Sequence, residues 1–308
     1  MSTETIQKEF VSVTDALIER GYKNCLTTSR KFFAPAAWMT SNLPADNKKA
    51  IATIGWHLMR CFDYLELESF DGLSLDVWKE RLYELSDALR GSCRCAEDAA
   101  LADAVNRFGI PKEHLFEMMT AADSWSRTRK FETYQQLELF SVKFGGSMLA
   151  ACAPILGADG EDYFEPAIQC GQAIHMTHML ANFVPNLKQH QAFYAAADVR
   201  KTGLSVTRTM MRQSSPELKH FVRLQTSRIQ KLFDAGGQVV PLLDYGGKRT
   251  MSSLLDYYWA MFSKMRAHPD SVLQPAGVLS KREKLALRTR HLMGTEGKAP
   301  VIGESHGH

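Results

Sequence analysis

Apolar residues return every three or four positions along most of this chain, the pattern of helices with one buried face. The spacing predicts a first helix from Val11 through Ala16 and Leu17 to Tyr22, and a second over LPADNKKAIATIGWHLMRCFDYLELE, residues 43–68. Amphipathic stretches follow at 75–90, 97–108 and 112–128. Residues 137–149 are apolar and rich in small side chains, and 164–182 reads as a buried helix. Further helices are expected at 215–235, 250–267 and 281–293. Turn chemistry separates these elements: FDG at 70–72, GADGED at 157–162, DAGG at 234–237 and YGGK at 245–248. No stretch holds a period of two for long, and no segment repeats another. The expected fold class is therefore all-α, one domain of about ten or more helices by helix-length arithmetic. Its expected limits are an N-terminal extension at 1–21, the domain at 22–293 and a mobile tail at 294–308.

Two segments break the apolar pattern with polar groups. In HMTHMLANFVPN, residues 175–186, the polar members are His175, His178, Asn182 and Asn186. On a helix these four stay within about a quarter of the circumference. Pro185 should stop or kink that helix near its end. Buried polar groups cost free energy unless they find partners. The stripe is thus either a satisfied, partly exposed face or the wall of a cavity with a polar occupant. In WHLMRCFDYLE, residues 56–66, the residues Trp56, Met59, Arg60, Asp63 and Glu66 share a face by the same spacing. A surface pair between Arg60 and Asp63 would be worth a few tenths of a kcal/mol. The functional alternative is half of a diphosphate and magnesium site, with carboxylate oxygens on the metal and an arginine fork on phosphate.

Composition narrows the classes. The chain is 45% hydrophobic and 23% charged, with a net charge of +3, an ordinary globular balance too slight and scattered for a nucleic-acid partner. No run approaches the roughly 20 unbroken apolar residues of a spanning helix, so no spanning membrane segment is expected. MSTETIQKEF lacks the basic and apolar regions of a signal peptide. Six cysteines without disulfide or zinc spacing suggest reduced thiols and a cytoplasmic protein.

Five segments, in order, resemble the squalene and phytoene synthases. TTSRKFFAPAAWMTSNLPADNKKAI (27–51) is similar to that family's N-terminal stretch, and RKFETYQQL (129–137) to its Arg-Tyr-x-Thr-x-x-x-Leu. KFGGSML…APILG (143–157) resembles the Val-Ala-Gly-Thr-Val-Gly…Pro-Ile-x-Gly helix. GQAIHMTHML (171–180) resembles Gly-x-Ala-x-Gln-Leu-Thr-Asn-Ile-Leu, and VLSKREKLAL (278–287) the Val-Ser-x-x-x-Lys-Leu-x-Leu. The resemblance implies a single-domain isoprenoid-synthase bundle around a central cavity, with magnesium as cofactor and prenyl diphosphate as donor. Carried over residue by residue, it makes Ser29, Arg30, Phe32, Phe33, Trp56, Arg60, Phe144, Asn182, Asn186, Tyr258 and Lys284 substrate-binding candidates. Lys48 joins Arg30, Arg60 and Lys284 as a cation for the leaving diphosphate.

The departures carry as much as the matches. The first acidic motif, Asp-Asp-x-x-Asp, falls on Phe62-Asp63-Tyr64-Leu65-Glu66, or, if Arg60 is matched to the family's arginine, begins at Asp63 and ends at Leu67. Asp63 and Glu66 are the metal candidates. The second motif, Asp-x-x-x-Asp, falls on Asn182 and Asn186, preceded by His175 and His178 in place of Gln and Asn. Amide oxygens hold a hard dication less well than carboxylates, so the second half of a metal–diphosphate cluster is poorly supplied. Three readings follow. The chain ionises one short prenyl diphosphate, dimethylallyl being the natural guess, and passes the cation to a small neutral aromatic or quinone acceptor such as a carbazole, with His175 or His178 taking the ring proton. Alternatively it is a head-to-head synthase with degenerate motifs, or a non-catalytic relative. The retained Arg60, Asp63 and Glu66 separate the first from the last. A homodimer stays open.

Overall fold

The computed structural model describes residues 11–66, 73–188, 193–274 and 277–295; the side chains of 11, 12, 32, 62–66 and 73–78 lie outside that description. Most of the expected tail, and the first ten residues, therefore lie outside it too. The helices are α1 (Asp15–Phe32), α2 (Ala36–Met39), α3 (Ala45–Glu66), α4 (Leu73–Leu89), α5 (Ala96–Phe108), α6 (Lys112–Thr128), α7 (Tyr134–Ser141), α8 (Ser147–Cys152), α9 (Phe164–Ala181), α10 (Phe183–Lys188), α11 (Ala196–Thr202), α12 (Val206–Met210), α13 (Pro216–Gly236), α14 (Tyr245–Ala267) and α15 (Lys281–Leu292). The expected all-α class holds. The exception is slight: Val11–Ser12 pairs antiparallel with Ser92–Cys93.

Several boundaries have local causes. Thr14 caps α1 by accepting from the Leu17 N–H, so the helix begins four residues after Val11, whose strand pairing takes it out of the helix. The same helix runs on past Tyr22 to Phe32, and so carries Ser29 and Arg30. Ser215 caps α13, with Pro216 at its first position. Thr133 with Gln136, and Ser280 with Glu283, form capping boxes on α7 and α15. The sequence reads YGGK at 245–248 as a turn, but Asp244 caps α14 there and the glycines lie in its first turn. Gly247 is needed for close approach, since a Cβ on it would come within 1.9 Å of the Leu156 carbonyl oxygen.

The helix expected at 137–149 is longer and is interrupted. Residues Val142–Gly146 form a π turn between α7 and α8, a widening often found at functional sites. The rod Tyr134–Leu156 is apolar enough by length and composition to cross a membrane, although Gln135, Gln136, Glu138 and Lys143 interrupt its apolar run; 67% of its most apolar window is buried among its neighbours. Its composition is that of an interior helix. Gly145 meets Gly171 of α9 at backbone distance, a Cβ on Gly171 lying only 2.2 Å from the Gly145 carbonyl oxygen.

α9 is the axial helix. It is buried along most of its length and packs against α13, α14, α8 and the π turn. One apolar cluster gathers α9, α13 and α14, including Phe183, Phe221, Phe233 and Phe262. A second gathers α1, α3, α5, α6 and α7, with Trp125 stacked on Phe193 at 4.3 Å. Polar anchors join distant segments inside this shell. Asp198 of α11 takes two bonds from Arg228 of α13, at 2.5 and 3.0 Å, and Arg228 lies over the Tyr134 ring at 3.7 Å. The two clusters meet along a cavity.

Candidate active site

The cavity holds about 480 Å³ and is walled by α1, α2, α3, the π turn, α8, α9 and α14, a volume within the roughly 300–1,000 Å³ of small-molecule pockets. α3 turns Lys48, Ile51, Gly55 and Leu58 toward it, spaced three or four apart. α1 brings Ser29 and Arg30, α14 brings Thr250, Met251, Leu254 and Tyr258, and α9 brings Ile174, His175 and His178. Most of the remaining wall is aliphatic or methionine. Among the described residues the lining contains two cations, Arg30 and Lys48, and no aspartate or glutamate.

The imidazoles are the most instructive part. His175 is 7% exposed. Its Nδ1 lies 3.0 Å from the Ser141 hydroxyl, which is wholly buried. Its Nε2 is buried with no hydrogen-bond partner. The Phe140 and Phe144 rings flank it at 5.5 and 5.4 Å. Burial, with His178 as a lesser influence, lowers its pKa to about 3, and burial likewise lowers that of His178 to about 4. Desolvation favours the neutral ring in both, so at pH 7 the site presents two uncharged imidazoles. His178 is held by Asn182, whose Nδ2 donates to the His178 carbonyl oxygen at 2.9 Å and lies 3.2 Å from its Nε2. With the amide donating, Nε2 accepts and the ring proton rests on Nδ1. Across the cavity, the Thr250 hydroxyl is also buried without a partner. These two unpartnered atoms are the kind a polar ligand group would satisfy.

Of the residues singled out in the sequence, Ser29, Arg30, Phe33, Lys48, Phe144, His175, His178 and Tyr258 line this cavity. Phe33 stacks on Tyr258 at 6.4 Å and meets Tyr257 edge-on at 6.1 Å; of the two tyrosines it is Tyr258 that faces the pocket. Other expectations need correction. Trp56 is buried beneath the Arg81 guanidinium, 4.7 Å away, and is not on the cavity wall. That guanidinium is fixed by Asp98 at 2.6 Å and by His57 Nδ1 at 3.3 Å, so the region of Trp56 is a buried ionic joint between α3, α4 and α5. Arg60 is half-buried and is also absent from the lining. Lys284 is exposed and absent from the lining, although it shares a face of α15 with the buried Leu287 and His291. Asn182 and Asn186 do not line the cavity. The polar stripe does not run straight: α9 ends at Ala181 with Asn182 as its C-cap, and α10 starts at Phe183. Pro185 lacks the N–H that the Ala181 carbonyl would need, so the break falls four residues before the proline. Asn186 instead turns its amide toward the Met179 sulfur, at 3.8 Å.

Phe32, Asp63 and Glu66 fall in α1 and the last turn of α3, but their side chains lie outside the described residues. No group of three or more metal-binding side chains occurs among those that are described. The described wall, with imidazoles, hydroxyls and cations only, does not by itself fit magnesium. Sequence reasoning missed Ser141 and Thr250. Thr250 was readable as the start of the stripe that α14 continues through Leu254 and Tyr258. Ser141 carries no pattern of its own, since the π turn sets its direction.

Comparison with known proteins agrees with this architecture. The squalene/phytoene synthase family model matches residues 57–286, three quarters of the chain. Phytoene synthase 2 of Solanum lycopersicum is 21% identical over 280 residues, covering 87% of this chain and 89% of the relative. Phytoene synthase 1 of Arabidopsis thaliana is 20% identical over 220 residues, 70% of this chain; this chain spans about half the length of that and several other curated relatives it matches. Among solved structures, a dehydrosqualene synthase superposes with a TM-score of 0.77 at 16% identity, covering 90% of this chain and 97% of the other. The squalene synthase HpnC of Alicyclobacillus acidocaldarius gives 0.73 at 15% identity, with 83% and 96% covered. With the cavity, the helix order and a family match over most of its length in agreement, this chain belongs to the squalene/phytoene synthase family.

Proposed function

We propose that the chain is a cytoplasmic, magnesium-dependent prenyltransferase that moves one short prenyl group, dimethylallyl being the simplest, onto a small aromatic or quinonoid acceptor such as a carbazole. The observation that carries the reading is the neutral α9 wall. Where two diphosphates and their metals would need carboxylates, the described cavity offers His175, His178 and a hydroxyl, and α9 ends on an amide. A wall without negative charge suits an uncharged second substrate. The family match and the phytoene synthase relatives support prenyl transfer in general; the acceptor is our inference.

In this reading Asp63 and Glu66 would hold magnesium, which stabilises the leaving diphosphate. Arg30 and Lys48 bind the diphosphate oxygens. The carbon–oxygen bond of the donor breaks, and the allyl cation is shielded by Phe33, Phe144 and Tyr258, whose ring faces attract cations. An aromatic carbon of the acceptor then forms the new carbon–carbon bond and sheds its proton. That proton is strongly acidic in the cationic adduct, so even an imidazole weakened by burial accepts it before it passes to the departing diphosphate. His175 Nε2 and Thr250 Oγ1 grip the acceptor's polar groups.

The test is incubation with magnesium and dimethylallyl, geranyl or farnesyl diphosphate, with and without a hydroxylated or quinonoid aromatic. Acceptor-dependent diphosphate release supports the proposal. A hydrocarbon built from two donor chains, made without any aromatic, would refute it in favour of the head-to-head reaction that the relatives' names suggest. Asp63→Ala should abolish release and leave the circular dichroism spectrum unchanged; full turnover in that variant removes the metal role.

A further inference from the structure

α15 has a composition unlike the rest of the surface. Between Lys281 and Met293 the chain carries five lysines and arginines and one acid, a surplus larger than the +3 of the whole protein. Leu287 and His291 face inward and are buried, 8% and 1% exposed. On the opposite side Leu285 and Leu292 are 62% and 63% exposed, and Met293 is 70% exposed. Leu285 and Leu292 are seven residues apart, hence nearly in line along the helix. Lys281 and Arg288 stand on one side of that ridge and Arg282 on the other, all exposed. Neither Arg282 nor Arg288 has an acidic partner among the described residues. Beyond the helix start, Lys219, Arg223 and Lys264 line with Ser280 a groove of about 620 Å³, extending the basic surface. Lys219 and Lys264 are partly compensated there, by Asp270 at 3.3 Å and Glu283 at 2.9 Å.

The far end of the helix is tied to the cavity rim. His291 bonds Ser41 and Ser253 and meets the Trp38 ring edge-on at 5.4 Å. Ser41, with Ala36, Ala37 and Thr40 of the same segment, lines the cavity. An outward leucine ridge flanked by basic side chains is the arrangement by which a helix lies in the interface of an anionic bilayer, apolar residues in the acyl boundary and cations at the phosphates. We propose that α15 docks the protein on anionic phospholipid surfaces, with the cavity rim close to the membrane. The partner is chosen by charge complementarity: a neutral surface would leave the flanking bases without function.

Co-sedimentation of the full chain with vesicles tests this. Vesicles of phosphatidylcholine with roughly 30% phosphatidylserine should bind the protein, and pure phosphatidylcholine should not, with binding lost at high salt. The pair Arg282→Gln and Arg288→Gln should weaken binding about thirtyfold, each basic group near such a surface adding about a factor of five or six. Leu285→Ser with Leu292→Ser should weaken it on anionic vesicles while melting temperature and circular dichroism stay unchanged, these side chains being exposed. Equal binding to both vesicle types, absence of binding to either, or retention of binding by both pairs of variants overturns the proposal. So does a concentration-dependent dimer in the absence of lipid that the leucine variants dissolve, because the ridge would then cover a second copy of the chain.

Discussion

Replacing His175 together with its partner separates a ligand-facing imidazole from a merely structural one. Consider Ser141→Ala with His175→Phe. At pH 7 the imidazole is neutral, its pKa held at about 3 by burial, so no charge is removed. What is removed is one hydrogen bond, the 3.0 Å contact between Ser141 and Nδ1, and one buried nitrogen with no partner. A typical internal hydrogen bond contributes about 0.5–1.5 kcal/mol net, whereas an unsatisfied buried polar atom costs about 1–3 kcal/mol. The balance favours the apolar pair by about 0.5–1.5 kcal/mol, and the new ring would sit among Phe140 and Phe144. For 308 residues, at an unfolding entropy near 2.1 cal/mol/K each, that corresponds to a melting temperature higher by about 1–2 °C. Acceptor-dependent diphosphate release should fall about two- to tenfold, as expected for losing one hydrogen bond to substrate. Differential scanning fluorimetry and a coupled diphosphate assay read the two quantities. A lower melting temperature in the double variant would refute the reasoning, because His175 would then be an ordinary, satisfied core residue.

Other expectations concern the scaffold. Gly145→Ala would place a Cβ 2.3 Å from the His175 Cβ and 2.7 Å from the Gly171 carbonyl oxygen; neither is the free end of a side chain, so overpacking of about 1–3 kcal/mol should exceed the gain of about 1 kcal/mol from better helix propensity, and a raised melting temperature would contradict this. Arg81→Ala should destabilise by about 3–5 kcal/mol, measured by urea titration, because it strands Asp98, which is wholly buried, and exposes the Trp56 face; a change below about 1 kcal/mol would mean water reaches the joint. His57, His175 and His178 have pKa values lowered from 6.5 to about 3, 3 and 4. The unfolded chain therefore takes up their protons first, and stability should be full above about pH 6.5 and fall as the pH drops toward 4. The Ser141→Ala, His175→Phe variant should show a shallower decline in melting temperature over that interval, and an unchanged slope would remove His175 from the account.

Helical period made most of the fold legible. The expected 112–128 coincides with α6, and 97–108 lies within one residue of α5, since caps and breakers flank both. The readable parts of the site were stripes on long helices: Ser29 and Arg30 on α1, Lys48 on α3, and His175 and His178 on α9. What failed did so for tertiary reasons. Trp56 shares a helical face with Arg60, yet Arg81 from α4 claims its ring, and no local pattern announces a partner 25 positions away. Asn182 obeys the period in sequence, but Pro185 ends the helix before that period can place it on the wall. The short helices α10, α11 and α12 carry too few turns for a period to show.

The wide turn at Val142–Gly146 fixes the phase between the two halves of a single rod. Each residue of a helix advances the chain by about 100°. A π turn takes up one surplus residue without changing the phase of what flanks it, whereas excising a second residue between Ser141 and the start of α8, with no such turn left to absorb it, would swing everything upstream by about that angle relative to α8. Ser141 would leave His175, while Met148 and Leu149 kept their places. Such a length change in this rod thus moves the polar side of the chamber independently of its greasy side, so that length changes as well as substitutions can retune what the chamber accepts.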